Sequence, residues 1–252
     1  MKYKIVREED KKRDFSVMSF RSCLANELVG RKRNKEYAEP KRNFVARGCF
    51  GVVYKCTKGG RVFAEKVVRC RPNGEEKEIL REFDAMCLAW RASEEFFLRP
   101  LFLEINKEGE EAVIGMEWFD GEPLQNVKNR EMAEKKLYWA AKALNTVGVF
   151  HEDLQPQNVL ISKDRKRLKV IDFGSVTMFE EEKVVFDPAD YIAGSEEDSR
   201  ELDEKDARVY QLFEFFRLFA TRENMKMFIQ GNKKWTEILE LFDEKNLEEM
   251  LE

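Results

Sequence analysis

Histidine is almost missing from this chain: one occurs in 252 residues, alongside only six prolines and thirteen glycines. No apolar run reaches the roughly eighteen residues a membrane-spanning helix requires. The amino-terminal MKYKIVREEDKKRDF has no apolar core of a secretory signal. A soluble, cytoplasmic protein with no membrane partner is the expectation. The five cysteines, Cys23, Cys49, Cys56, Cys70 and Cys87, are odd in number and nowhere spaced C-x-x-C, which leaves free thiols in a reducing compartment. There is no internal repeat and no low-complexity tract. Basic residues are not interleaved with aromatics as on an RNA-binding surface, so a nucleic-acid partner is not expected. What is present is the material of a core. The chain is 43% hydrophobic and 12% aromatic, with twenty phenylalanines, which excludes wholesale disorder and suits a compact enzyme of one large domain or two small lobes.

The net charge of −4 hides an asymmetry. Residues 1–43 carry thirteen Lys/Arg and seven Asp/Glu, net +6, whereas residues 180–206 carry twelve Asp/Glu and three Lys/Arg, net −9. A basic arm can meet nucleic acid or an anionic membrane. Docking on the chain's own acidic surface, or plain solvation, is the preferred reading and needs no partner.

Two textures follow one another. FVARGCFGVVYKC, TKGG and RVFAEKVVR alternate apolar and polar residues around turn signals, which predicts three short antiparallel strands with Gly59-Gly60 as a hairpin turn. EEKEILREFDAMCLAWRA places Ile79, Phe83, Met86 and Trp90 at helical spacing. LRPLFLEI and EAVIGMEWF predict two more strands. After Gly121 the texture is helical, through REMAEKKLYWAAKALNTVG, DARVYQLFEFFRLFA and KKWTEILELF. In the last of these Trp235, Ile238, Leu239 and Phe242 share one helical face, more in keeping with core packing than with a partner helix.

Chemistry-bearing residues punctuate this pattern. Gly48 and Gly51 sit in a hairpin tip, where the missing Cβ lets backbone N–H groups approach a polyphosphate, although hairpin tips favour glycine in any case. Lys66 lies among apolar neighbours on a predicted strand and must either snorkel to water or meet anions. On the following helix Glu78 and Glu82 are its candidate partners, and Glu82 fits better because it lies on the buried stripe with Ile79 and Met86. The only histidine falls in VFHEDLQPQNVLISK, where Asp153 and Asn158 follow it, and VIDFGS brings Asp172 soon after. A carboxylate to orient a hydroxyl, with an amide and a second carboxylate to hold Mg2+, is the oxygen set that phosphoryl transfer needs. Unrelated loop aspartates and a capping asparagine are the bland alternative for each element alone.

Taken in order, Gly48-Cys49-Phe50-Gly51-Val52-Val53, Ala64-Glu65-Lys66, Glu82, His151-Glu152-Asp153 through Asn158, and Asp172-Phe173-Gly174 resemble the eukaryotic-type protein kinase signature, over about residues 44 to 220. The resemblance implies an α+β, bilobal fold: a basic extension over 1–43, a five-stranded antiparallel N-lobe with one main helix over 44–119, and a mostly helical, shortened C-lobe over 120–252. It implies ATP and Mg2+ as cofactors. Lys66 would hold the α- and β-phosphates and pair with Glu82; Asp153 would orient or deprotonate the acceptor hydroxyl; Asn158 and Asp172 would bind the metal. Val53, Ala64 and Leu160 would sandwich the adenine, with Met116 as gatekeeper and the Glu117 carbonyl and Phe119 amide as hinge contacts. Ala46, Gly48, Cys49, Phe50 and Gly51 would form the phosphate loop. His151 would be structural, packed near Phe173 and bonded to backbone.

Departures from the family pattern matter as much. Ala46 replaces the first loop glycine. Glu152 replaces the arginine that gathers a phosphorylated activation loop and would repel a phosphate. Activation by phosphorylation is therefore not expected, despite Ser175, Thr177, Tyr191, Ser195 and Ser199 nearby. Gln155 stands where a lysine near the γ-phosphate is usual, removing a cation that stabilises transfer. Ala193-Gly194-Ser195 replaces A-P-E, and the late helix whose arginine pairs with that glutamate is expected to be missing. The Pro156 of DLQPQN matches the Ser/Thr type. A protein substrate, basic if the acidic 180–206 stretch steers it, is the expectation, with an activating protein partner a further implication of the short C-lobe. Two alternatives stay open: a small-molecule phosphotransferase of the aminoglycoside or choline kinase type, and a non-catalytic binding module.

Overall fold

The computed structural model describes residues 39–48, 51–69, 75–106, 110–128, 131–178, 185–186 and 199–217. The arm 1–38, the hairpin tip Cys49-Phe50, most of the acidic 180–198 stretch and the segment 218–252 with Trp235 lie outside them. The described residues fall into two compact units of an α+β fold. One holds the residues up to Asp84 with Leu98–Trp118; the other holds Ala85–Phe97 with the residues from Phe119 onward. Among the described residues no helix is long and apolar enough to cross a membrane.

The first unit is built on β1 (Lys41–Gly48), β2 (Gly51–Lys58), β3 (Arg61–Arg69), β4 (Pro100–Asn106) and β5 (Glu111–Glu117), antiparallel throughout in the order β1-β2-β3-β5-β4. Gly59 and Gly60, at φ 56° and 75°, make the two-residue β2–β3 turn, whose twist matches the strands only when both positions are left-handed. Side chains directly opposite in an antiparallel pair share a face. Val53 therefore lines up with Ala46 on one side and Lys66 on the other, Lys66 with Ile114, and Ala64 with Met116. Ala46, Val53, Ala64, Lys66, Ile114 and Met116 form one face of the sheet. The register shift at Val45 lets β1 keep this alignment while Phe44 pairs with Tyr54. The opposite face carries Phe63 edge-on to Phe102, with ring centroids 6.0 Å apart, and the ion pair Arg42–Glu65 at 2.6 Å.

Between β3 and β4 runs α1 (Glu75–Ala92), whose helical stripe buries Ile79, Phe83 and Met86. Each fully buried side chain of this kind contributes about 1.5–3 kcal/mol relative to exposure.

The second unit contains β6 (Gly121–Pro123), α2 (Glu131–Thr146), β7 (Val149–Phe150), β8 (Val159–Ser162), β9 (Leu168–Val170), β10 (Thr177–Met178), β11 (Val185–Phe186), β12 (Arg200–Glu201) and α3 (Glu204–Arg217). Helix α2 packs on α3. Its inner stripe, Ala133, Leu137, Ala140, Ala141 and Leu144, is wholly buried, and its three alanines leave room for close approach. Strands β6, β8 and β9 form a small sheet, and β7 pairs with β10. The β8–β9 turn is tied by Ser162, whose hydroxyl donates to Asp164. That bond, with the Lys166 N–H, holds the Asp164 carboxyl below its usual range.

Candidate active site

In the first unit Lys66 sits on β3, the central strand, paired on both sides. It is 6% exposed, and its Nζ lies 2.6 Å from Glu82 Oε1 on α1. Glu78 is exposed. An ammonium this deep is tolerated because a carboxylate meets it; alone it would be forced toward neutrality. Val53, Ala64 and Met116 occupy the same sheet face, Ala46 an exposed place on it. The β1–β2 hairpin closes with Gly48 opposite Gly51. Gly51 has φ 157°, and a Cβ there would stand 2.5 Å from the Val67 carbonyl oxygen, so the backbone approach itself demands glycine. Cys49 and Phe50 lie outside the described residues. The unit thus presents a buried, carboxylate-held cation and a glycine-closed hairpin, chemistry suited to a polyanion. The Glu117 N–H donates to the Arg99 carbonyl at 2.9 Å.

In the second unit the chain leaves β7 through His151, Glu152 and Asp153, makes a 3-10 turn at Pro156–Asn158, and enters the β8–β9 hairpin. Val159 opposes Val170, and the Ile171 N–H donates to the Asn158 carbonyl at 2.9 Å. This last bond carries the ladder one step past the strands and sets Asp172 at the same hairpin end as Asn158. The Asn158 amide reaches back: Nδ2 donates to the Asp153 carbonyl oxygen at 2.8 Å and to Asp153 Oδ2 at 3.1 Å. Three residues nineteen positions apart at most in sequence are thereby gathered. Because Nδ2 is committed to Asp153, the Asn158 oxygen Oδ1 is the amide atom that would face a cation, with the Asp172 carboxylate, at the same hairpin end, as the second hard-oxygen donor. Magnesium takes few protein ligands and completes its shell with phosphate and water, so the pair fits it. Among the described residues no cluster of three or more His, Cys, Asp and Glu offers a metal site of another kind. Asp172 and Glu152 have φ 65° and 53°. Such left-handed, non-glycine positions cost about 1–3 kcal/mol each and persist where surroundings over-determine them.

His151 does what the resemblance implied. Its Nε2–H donates to the Ile171 carbonyl at 3.0 Å, and its ring lies 5.1 Å from that of Phe173. The backbone N–H of His151 donates to Gln211 Oε1 at 3.0 Å, while Gln211 Nε2 donates to Asn145 Oδ1 at 2.9 Å and the Val149 carbonyl at 3.0 Å. Gln211, buried on α3, therefore anchors the loop that carries Asp153. Its one sequence signal was a polar residue interrupting the apolar stripe of DARVYQLFEFF. Glu152 accepts a hydrogen bond from Thr177 Oγ1 at 2.8 Å, clipping β10 to the same loop. Leu160 is half-buried on β8, and Phe119 is buried with the Arg167 guanidinium 5.6 Å from its ring centre.

The model of the protein kinase domain matches residues 41–196, more than half of the chain. Human serine/threonine-protein kinase greatwall is 30% identical over 139 residues, covering 52% of this chain and 16% of that protein. A probable serine/threonine-protein kinase of Dictyostelium discoideum is 28% identical over 150 residues, covering 52% of this chain and 21% of its own length. Rabbit serine/threonine-protein kinase 17A is 27% identical over 169 residues, covering 59% of this chain and 42% of its own length. The chain spans about a sixth of the length of the greatwall proteins it matches.

Proposed function

Since the chain belongs to the protein kinase domain family, we propose that it transfers the γ-phosphate of ATP, in a magnesium-dependent reaction, to a serine or threonine hydroxyl of a protein substrate. The observation that carries this reading is the second-unit cluster, in which Asn158 donates to Asp153 and the Ile171–Asn158 backbone bond sets Asp172 at the same hairpin end. Bound Mg2+ supplies positive charge to phosphate oxygens during transfer. Lys66 holds the α- and β-phosphates, and Glu82 fixes the ammonium in place. Asp153 orients the acceptor hydroxyl and takes its proton. Val53, Ala64 and Leu160 enclose the adenine, while Met116, the Glu117 carbonyl and the Phe119 amide meet its edge. Ala46, Gly48, Cys49, Phe50 and Gly51 cover the phosphates.

Pro156 in DLQPQN and the serine/threonine-kinase names of the relatives support the acceptor class. Glu152 already holds Thr177, and its carboxylate repels a phosphate, which supports activity without loop phosphorylation. The net −9 of residues 180–206 supports substrates with basic segments. The buried cysteines Cys56 and Cys87, neither of them in a disulfide, support a cytoplasmic location. The test is incubation with labelled ATP and a mixture of basic and acidic proteins, amino alcohols and sugars, followed by phosphoamino-acid analysis. Label on protein serine or threonine is the expected result. Label only on a small molecule replaces the reading with a small-molecule phosphotransferase; bound ATP with no transfer replaces it with a binding module.

A further inference from the structure

The catalytic-loop carboxylate is held on both sides by uncharged amides. On one side Asn158 Nδ2 donates to Asp153 Oδ2 at 3.1 Å. On the other, Gln155 Nε2 donates to Asp153 Oδ1 at 2.6 Å, and Gln157 Nε2 donates to Gln155 Oε1 at 3.0 Å. The order of donors is self-consistent. Were the Gln155 amide reversed, its oxygen would face the carboxylate, a repulsion in place of a bond. Pro156 builds the arrangement. It restricts Gln155 to an extended backbone, observed at φ −121° and ψ 155°, and opens the 3-10 turn in which the Asn158 N–H returns to the Gln155 carbonyl at 2.8 Å. In that geometry the flanking glutamines meet each other across the proline.

We propose that Gln155, oriented by Gln157, is a positioning residue for Asp153: a neutral amide string that aims the carboxylate at the acceptor hydroxyl. The role rests on the kinase reading above. Each carboxylate oxygen receives one of these amide donors and keeps acceptor capacity for the incoming hydroxyl. Alignment of this kind is expressed in the transition state rather than in nucleotide affinity, so its loss lowers kcat and leaves KM for ATP in place.

Both glutamines are exposed, so their replacement does not threaten the core. Two measurements on the full chain decide the matter. In the first, side-chain amide resonances of Gln155 are followed by NMR with nothing bound. They shift in Asp153→Asn and in Gln157→Leu; resonances unmoved by both overturn the string, whatever the activity. In the second, Gln155→Leu lowers kcat for protein phosphorylation about tenfold, the scale of one lost hydrogen bond to a charged group. KM for ATP stays within about twofold, and Gln157→Leu shows a smaller loss with the same split. An unchanged kcat in Gln155→Leu, or a loss expressed in KM for ATP instead of kcat, overturns the positioning role. A natural chain that moves no phosphate overturns the kinase reading instead, with the NMR result still deciding whether the string exists.

Discussion

Replacing Glu82 by leucine breaks the pair with Lys66 and leaves an ammonium among atoms that exclude water, since both side chains are only 7% exposed. Removing one partner of a buried pair costs about 3–5 kcal/mol, because the remaining charge keeps its desolvation penalty and loses its compensation. Against a total stability of about 5–15 kcal/mol, that raises the unfolded fraction a hundredfold to a few thousandfold. The double variant Lys66→Met, Glu82→Leu removes both charges and fills similar volume. Its stability should return to within about 1 kcal/mol of the natural chain, or exceed it. Activity should behave differently: under the proposed function neither variant transfers phosphate, since the cation proposed to hold the phosphates is displaced or gone. Urea midpoints, with hydrogen exchange of the β3 amides to localise the effect, read the stability arm; labelled-phosphate transfer reads the other. A double variant as unstable as Glu82→Leu would refute the uncompensated charge as the source of the cost, and full activity in Glu82→Leu would refute its proposed role in holding Lys66.

Gly51→Ala forces a Cβ to 2.5 Å from the Val67 carbonyl, whereas a Cβ at Gly48 meets nothing within 4 Å. The first should cost about 1–3 kcal/mol and the second under about 1, read as a difference in thermal midpoint. Gln211→Leu strips the partners from the His151 N–H, Asn145 Oδ1 and the Val149 carbonyl, and should cost about 3 kcal/mol with loss of transfer. Burial, aided by the Glu65 carboxylate, pushes the Cys56 thiol up from 9.0 to about 11. Its contribution to stability is complete below pH 9.0, where both folded and unfolded thiols are protonated, and is lost as pH rises to about 11, because the unfolded chain releases the proton first. Urea midpoints across that window should fall by about 2–3 kcal/mol more in the natural chain than in Cys56→Ala. Equal slopes would remove this assignment.

The elements legible in the sequence were those with a period or a compulsory turn. Alternation in RVFAEKVVR and the Gly59-Gly60 pair marked β3 and its hairpin, and the Ile79, Phe83, Met86 spacing marked α1. The spacing also singled out Glu82 over Glu78, because only one of the two falls on a buried stripe. Asp153, Asn158 and Asp172 were legible as a motif, but the bond that gathers them, Ile171 N–H to the Asn158 carbonyl, is a product of the β8–β9 register, which short strands do not announce. Gln211 lies sixty positions from His151, and Glu152 twenty-five from Thr177. Such polar contacts carry no period, no composition and no spacing. They exist only once α2, α3 and the loop are packed. Gln155 was visible as a missing lysine, while its bonds to Asp153 and Gln157 depend on the turn that Pro156 opens.

Calorimetric titration of ATP with and without Mg2+, in the natural chain and in Asp172→Ala, tests the central claim most directly. The natural chain should bind ATP more tightly with the metal present, and Asp172→Ala should lose that gain while keeping its metal-free affinity. An affinity indifferent to Mg2+ in the natural chain, or a gain that survives in Asp172→Ala, would contradict it.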